Sequence, residues 1–448
     1  MTTAQIKNVV IIGAGPVGLA AAAHSIARGL KPIVLEKGDH AGAAMAEWGH
    51  VQVFTPWKYL VDKAVQPLLE KAGWEYPDKE SLATGQEIVD RYLIPAAQTP
   101  ELDEVITYSA EVIAVAKTNL SKHSSTDRDQ ADYSVHFRMP DGSYHRVQAD
   151  AVIDASGTWD NPNPIGLDGL PIAGERENQE FINYAIPDVY AKEREIYAGK
   201  RTLVLGGGHS AINVALDLIK LQQEIPETKI HWGLRRNNLE KLLGGGINDK
   251  LPARGELGLA AKAAIDSGSL NVLAPLKVES IQQKESGLEV TLSVDGQYQA
   301  IEVDRIVVAA GFRPDLNMLR ELRLDIDEIV EAPSTLAPLI DPNLHSCGTV
   351  KPHGVVELSH HDKNFYIVGM KAYGRAPTFL MLTGYEQVRS ITAELAGDFE
   401  ASRRVELVLP ATGACSTKRS AQAKSETAEK ATASCCGTTE EVATSCCG

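Results

Sequence analysis

Val9-Val10-Ile11-Ile12-Gly13-Ala14-Gly15-Pro16-Val17-Gly18 is an apolar β-branched run that passes straight into a G-x-G-x-x-G turn. Such a run is the pattern of a buried parallel strand. Pro16 suits the first turn of a helix, where a missing N–H matters least. In this turn Gly13 permits a tight bend, Gly15 lets the backbone approach a pyrophosphate, and Gly18 lets helix and strand pack closely. Val17 and Gly18 lie at the helix N-terminus, whose free N–H groups and positive dipole end favour a phosphate. An Ala-rich helix to Gly29 and the strand Pro32-Ile33-Val34-Leu35 follow. Glu36 ends that strand, where a carboxylate meets a ribose hydroxyl, and Lys37 beside it joins the expected contact set.

The same order recurs. Thr202-Leu203-Val204-Leu205 runs into Gly206-Gly207-Gly208-His209-Ser210-Ala211, then a helix ending near Gln223 and the strand Lys229-Ile230-His231-Trp232. No acid stands at the end of this strand. Arg235 and Arg236 stand there instead and can pair with a 2′-phosphate, which favours NADPH over NADH. Each βαβ unit is followed by antiparallel strands. The first set includes Val112 to Val115 and Tyr133 to Phe137; the second includes Val278 to Ile281, Leu288 to Val294 and Ile301 to Ile306. Each set closes on a small-residue turn, one containing Gly157 and the other Gly311, as close passage of backbone past a cofactor requires.

This arrangement resembles two-dinucleotide flavoproteins. The expected fold is α/β with two Rossmann-like dinucleotide-binding domains, a nicotinamide domain (166–305) inserted into an FAD domain (1–165 and 306–409). From Pro410 the chain is Ser, Thr, Ala, Lys and Glu with almost no large apolar residue, so residues 410–448 are expected to be disordered. Lys418, Arg419, Lys424 and Lys430 balance Glu426, Glu429, Glu440 and Glu441 there, so the body carries the whole net charge of −15. That argues against nucleic acid or an anionic membrane as partner. No basic region followed by an apolar stretch opens the sequence, and no apolar run approaches a membrane span, so the cytoplasm is expected.

Cys347 is alone in the body, with no Cys-x-x-Cys to relay electrons. The tail carries Ser434-Cys435-Cys436-Gly437 and Ser445-Cys446-Cys447-Gly448. Adjacent cysteines have Cα atoms about 3.8 Å apart, below the usual disulfide range. They therefore read as dithiols for a thiophilic ion such as trivalent arsenic, or as a solvated tail of no consequence. The spacing of Cys347, His353, His360 and His361 matches no common zinc pattern. Gly244-Gly245-Gly246 reads as a mobile loop, with a gate over the nicotinamide as its one suggested role.

Residues 6–405 resemble the superfamily of flavin-containing monooxygenases and pyridine-nucleotide flavoproteins. Gly157-Thr158 before Pro162 and Pro164, the second turn with Ser210, and Ala310-Gly311-Phe312-Arg313-Pro314-Asp315 are most similar to the monooxygenase branch. Asn364 to Phe379, with Gly369-Met370-Lys371-Ala372-Tyr373-Gly374, is similar to flavoproteins associated with arsenic resistance. The resemblance implies that Gly369 and Met370 lie near FAD and that the helix containing Thr383 to Arg389 points its N-terminus at the cofactor. The monooxygenase pattern is incomplete. Tyr184 to Tyr190 lacks the glycine and histidine of the Phe-x-Gly-x-x-x-His fingerprint, and Phe54 stands where the family has an asparagine beside the flavin.

The resemblance implies an FAD- and NADPH-dependent oxidoreductase of monooxygenase type, acting with O2 on a soft nucleophile such as a trivalent arsenical. A reductase or oxidase without oxygen transfer, and a metalloid-binding carrier, are the alternatives. The cofactor performs the chemistry, so no catalytic side chain need show in the sequence, and none is named. The oligomeric state stays open, a homodimer among the options.

Overall fold

Asn8–Ile12 lies at the centre of a five-stranded parallel sheet. Val9, Val10 and Ile11 are fully buried, as a strand covered on both faces requires. Lys31–Leu35 pairs on one side and Ala151–Asp154 on the other, with Ile106–Thr107 and Phe365–Ile367 at the edges. Two helices pack together beside this sheet, Pro16–Ala27 and Met381–Leu395. The computed structural model describes residues 8–237, 252–344, 352–376 and 379–407, all within one compact unit.

A second five-stranded parallel sheet repeats the plan. Its order is Ile182–Asn183, Arg305–Val308, Arg201–Leu205, Lys229–Gly233, Asn271–Leu273. The helix His209–Glu224 buries Ala211, Val214, Ala215, Leu218 and Leu221, an apolar stripe at helical spacing that faces a core of its own. Each parallel sheet has an antiparallel companion of three strands. One is built from Glu111–Lys117, Tyr133–Arg138 and Tyr144–Ala149; the other from Leu276–Lys284, Gly287–Val294 and Gln297–Val303.

One boundary shifts. The run Ile301 to Ile306 is two strands, because the chain turns at Asp304. The carboxylate of Asp304 accepts from Arg201 N at 2.7 Å and from its guanidinium at 2.9 and 3.1 Å, and its own N–H donates to Arg201 O. Arg305–Val308 then joins the second sheet, so a division between 305 and 306 would detach a strand from its neighbours on both sides. The expectations for Gly244 to Gly246, Cys347 and residues 410–448 lie outside the described residues. No helix among the described residues is long and apolar enough to cross a membrane.

Candidate functional site

Three chain segments leave the first sheet at one level, since Ile12 and Ile367 are both in register with Asp154. The first is the glycine turn. Gly13 has φ +99°, and a Cβ there would lie 2.9 Å from Ala155 O. A Cβ on Gly18 would lie 2.0 Å from Gly13 O, so that position must be glycine while the helix stays where it is. Gly15 differs: a Cβ there meets nothing within 4 Å. First and third glycines are thus required by the protein itself, whereas the second faces open space where a pyrophosphate would lie. Pro16 starts the helix, and Leu19 makes its first backbone bond, to Gly15 O. The N–H groups of Val17 and Gly18 are left outside the helical ladder.

Glu36 is half-buried at the end of its strand, and its carboxylate accepts from Ala14 N at 2.6 Å and Gly38 N at 2.7 Å. The acid is therefore anchored to the glycine turn, with lone pairs to spare for a ribose. Lys37 is exposed and donates to Asp160 at 3.0 Å, a hydrogen bond that raises its pKa.

Gly157 and Gly369 occupy the second and third segments, at φ +71° and +69°. A Cβ on Gly157 also meets only open space. Val17 packs beneath Gly369 and Gly384, 3.5 and 2.6 Å from where their Cβ atoms would be, so the first turn and the late segment form one floor. Gly369 N–H donates to Gln387 Oε1 at 2.7 Å, and Gln387 Nε2 lies 2.9 Å from His353 Nε2; Gln387 and His353 are both buried. Met370 is half-buried beside Gly369. Tyr373, in the same turn, has its phenol pKa pushed up by burial and stays protonated. Lys371 and Asp154 form a buried ion pair at 2.7 Å across the second and third segments. Sequence reasoning missed this pair. Its signal was one acid and one base, each inside an otherwise apolar stretch.

The second sheet ends in a matching turn. Gly206 has φ +142° and a would-be Cβ 2.2 Å from Ala309 O, while Gly208 faces open space. Ala211 fills the third position and is buried. Trp232 Nε1 donates to Gly206 O at 2.8 Å and fixes the loop to the neighbouring strand. His209 and Ser210 open the helix. Arg235 and Arg236 follow the Lys229–Gly233 strand and are both exposed. Phe54, on the Gln52–Pro56 strand, meets the His209 ring edge-on at 5.4 Å between centroids.

The segments containing Gly157 and Gly311 run side by side, which the sequence did not reveal. Pro162 bridges Phe312, Asn163 N–H donates to Gly311 O at 2.9 Å, and Arg313 N–H donates to Asn161 O at 3.0 Å. Trp159 stacks on Phe312 at 4.8 Å. No group of potential metal ligands occurs among the described residues, and Cys435, Cys436, Cys446 and Cys447 lie outside them.

The sequence profile of the pyridine nucleotide-disulphide oxidoreductase family matches residues 10–348. A ferredoxin–NADP reductase of Streptococcus pneumoniae is 24% identical over 72% of this chain and 79% of its own length. A flavin-containing monooxygenase of Aspergillus flavus is 27% identical over 49% of this chain and 52% of its own. Among solved structures, the bacillithiol disulfide reductase of Bacillus cereus shares the fold. Its TM-score is 0.63 at 19% identity, with 88% of this chain and 100% of that one covered.

Proposed function

The chain belongs to the pyridine nucleotide-disulphide oxidoreductase family, and from that premise we propose an FAD-dependent oxidoreductase that draws electrons from NADPH and transfers oxygen to a soft nucleophile. One observation carries the cofactor reading. In both turns the first position is closed by backbone and the second opens on empty space. That asymmetry fits a pyrophosphate held against main-chain N–H groups. FAD, when bound, supplies the two-electron chemistry between nicotinamide and acceptor. The chain's own residues bind and orient. The turn from Gly13 to Gly18 receives the FAD pyrophosphate, Glu36 the ribose, and Gly157, Gly311, Gly369 and Met370 approach the flavin end. Gly206, Gly208, His209, Ser210 and Ala211 receive NADPH, with Arg235 and Arg236 on the 2′-phosphate. The domains of this reading are 1–165 with the chain beyond Val308, and the intervening nicotinamide domain, placed in a cytoplasmic enzyme.

A flavin-containing monooxygenase among the relatives supports oxygen transfer. The body lacks a Cys-x-x-Cys, so no dithiol relay enters the reading. A trivalent arsenical is the substrate proposed, on the strength of the two tail cysteine pairs and the resemblance of Asn364 to Phe379. The test follows NADPH oxidation and peroxide together, with and without arsenite or methylated arsenite. Oxygen transfer predicts that the arsenical raises NADPH consumption, lowers peroxide and emerges oxidised. NADPH consumption matched by peroxide, with the arsenical unchanged, would make the protein an oxidase.

A further inference from the structure

Asp154 ends the Ala151–Asp154 strand and is fully buried; Lys371, in the turn after Phe365–Ile367, is 2% exposed. Lys371 Nζ donates to Asp154 Oδ2 at 2.7 Å and to Ser156 Oγ at 3.0 Å. Ser156 Oγ donates in turn to Asp154 Oδ1 at 2.6 Å. Apolar residues of like volume often serve stability as well as a buried ion pair, so stability alone is a weak reason for this one. Its place is more informative. The pair joins two turns that leave adjacent parallel strands at one level, and each turn carries a glycine with positive φ, Gly157 and Gly369. An ammonium has three N–H donors. Asp154 and Ser156 take two, and among the described residues no acceptor takes the third.

We propose that Lys371 is a positioning residue for FAD: with Asp154 and Ser156 it fixes the gap between these two turns and offers the cofactor its remaining N–H and its charge. The proposal rests on the FAD reading above. Hydrogen bonds to a charged group are among the stronger ones, so their loss should weaken FAD binding roughly tenfold or more. A cation nearby also favours the more negative, reduced form of a bound flavin.

The experiment measures the FAD dissociation constant and the flavin midpoint potential for the native full chain, Lys371→Met, Lys371→Arg and Ser156→Ala. Circular dichroism and melting of each apo-protein run alongside. Lys371→Met should bind FAD at least about tenfold more weakly and show a lower potential. Lys371→Arg should restore the potential by restoring the charge, and Ser156→Ala should fall between. A folded Lys371→Met protein with native affinity and potential overturns the proposal. If that variant does not fold, Ser156→Ala decides, and native values there overturn it equally. A native protein that takes up no FAD at all would instead remove the cofactor reading, and this proposal with it.

Discussion

The two glycine turns share a backbone plan and differ in what surrounds them. The first is enclosed by segments distant in sequence: Val17 lies against Gly369 and Gly384, Glu36 is tied to Ala14, and a buried ion pair joins the two turns beside it. Its third position tolerates no side chain, since a Cβ on Gly18 would sit on Gly13 O. The second turn carries Ala211 at that position, and past its next strand lie exposed arginines rather than an anchored acid. Enclosure suits a cofactor that stays, and an exposed cationic edge suits a nucleotide that comes and goes. On the proposed function, one motif written twice would serve a retained cofactor at the first turn and an exchanging one at the second, with the flanking residues making the difference.

Removing one partner of the buried pair should have the largest effect. Asp154→Ala should cost about 3–5 kcal/mol of unfolding free energy, because Lys371 would be left buried without its anion. Chemical denaturation of the apo-protein reads this, and a loss under about 1 kcal/mol would mean that water reaches Lys371 and that the first site is not enclosed.

At the second turn the expected change is in binding alone. Replacing Arg235 and Arg236 together by alanine should raise the KM for NADPH roughly 10- to 100-fold and leave NADH nearly unchanged. Stability should move by no more than about 0.5 kcal/mol, since both side chains are exposed. Equal losses with both nucleotides would place the 2′-phosphate elsewhere.

Another effect concerns pH. Burial pushes the His360 pKa down to about 4, while its ring packs on Phe365 of the first sheet. The unfolded chain, with an ordinary imidazole near 6.5, then binds more protons than the folded one between these values, so stability falls as pH drops through that window. The loss attributable to His360 should be on the order of 2–3 kcal/mol at pH 4, and His360→Gln should flatten that part of the profile. An unchanged profile in the variant would show that the imidazole is solvated.

Local patterns were legible and long-range ones were not. A strand that runs into a glycine turn and a helix is written in consecutive residues, so Val9 to Gly18 and Thr202 to Ala211 could be read directly. The break at Asp304 could not, because it depends on Arg201, a residue far off in sequence whose backbone and guanidinium claim that carboxylate. Asp154 and Lys371 lie 217 residues apart, and nothing in either segment names the other as its partner. The antiparallel contact of 161–163 with 311–313 was hidden for the same reason: each segment reads as an isolated turn, and only the return of the chain pairs them.

We propose that the first turn retains FAD and the second receives NADPH. Flavin content per chain and the rate of flavin reduction by NADPH should be measured for the native protein, Gly15→Val and Gly208→Val. Each valine would project into the open space over its own turn. The expected result is a flavin-loaded native protein, a Gly15→Val protein that folds but lacks flavin, and a Gly208→Val protein that keeps its flavin and is reduced slowly by NADPH. A Gly15→Val protein with native flavin content would contradict it.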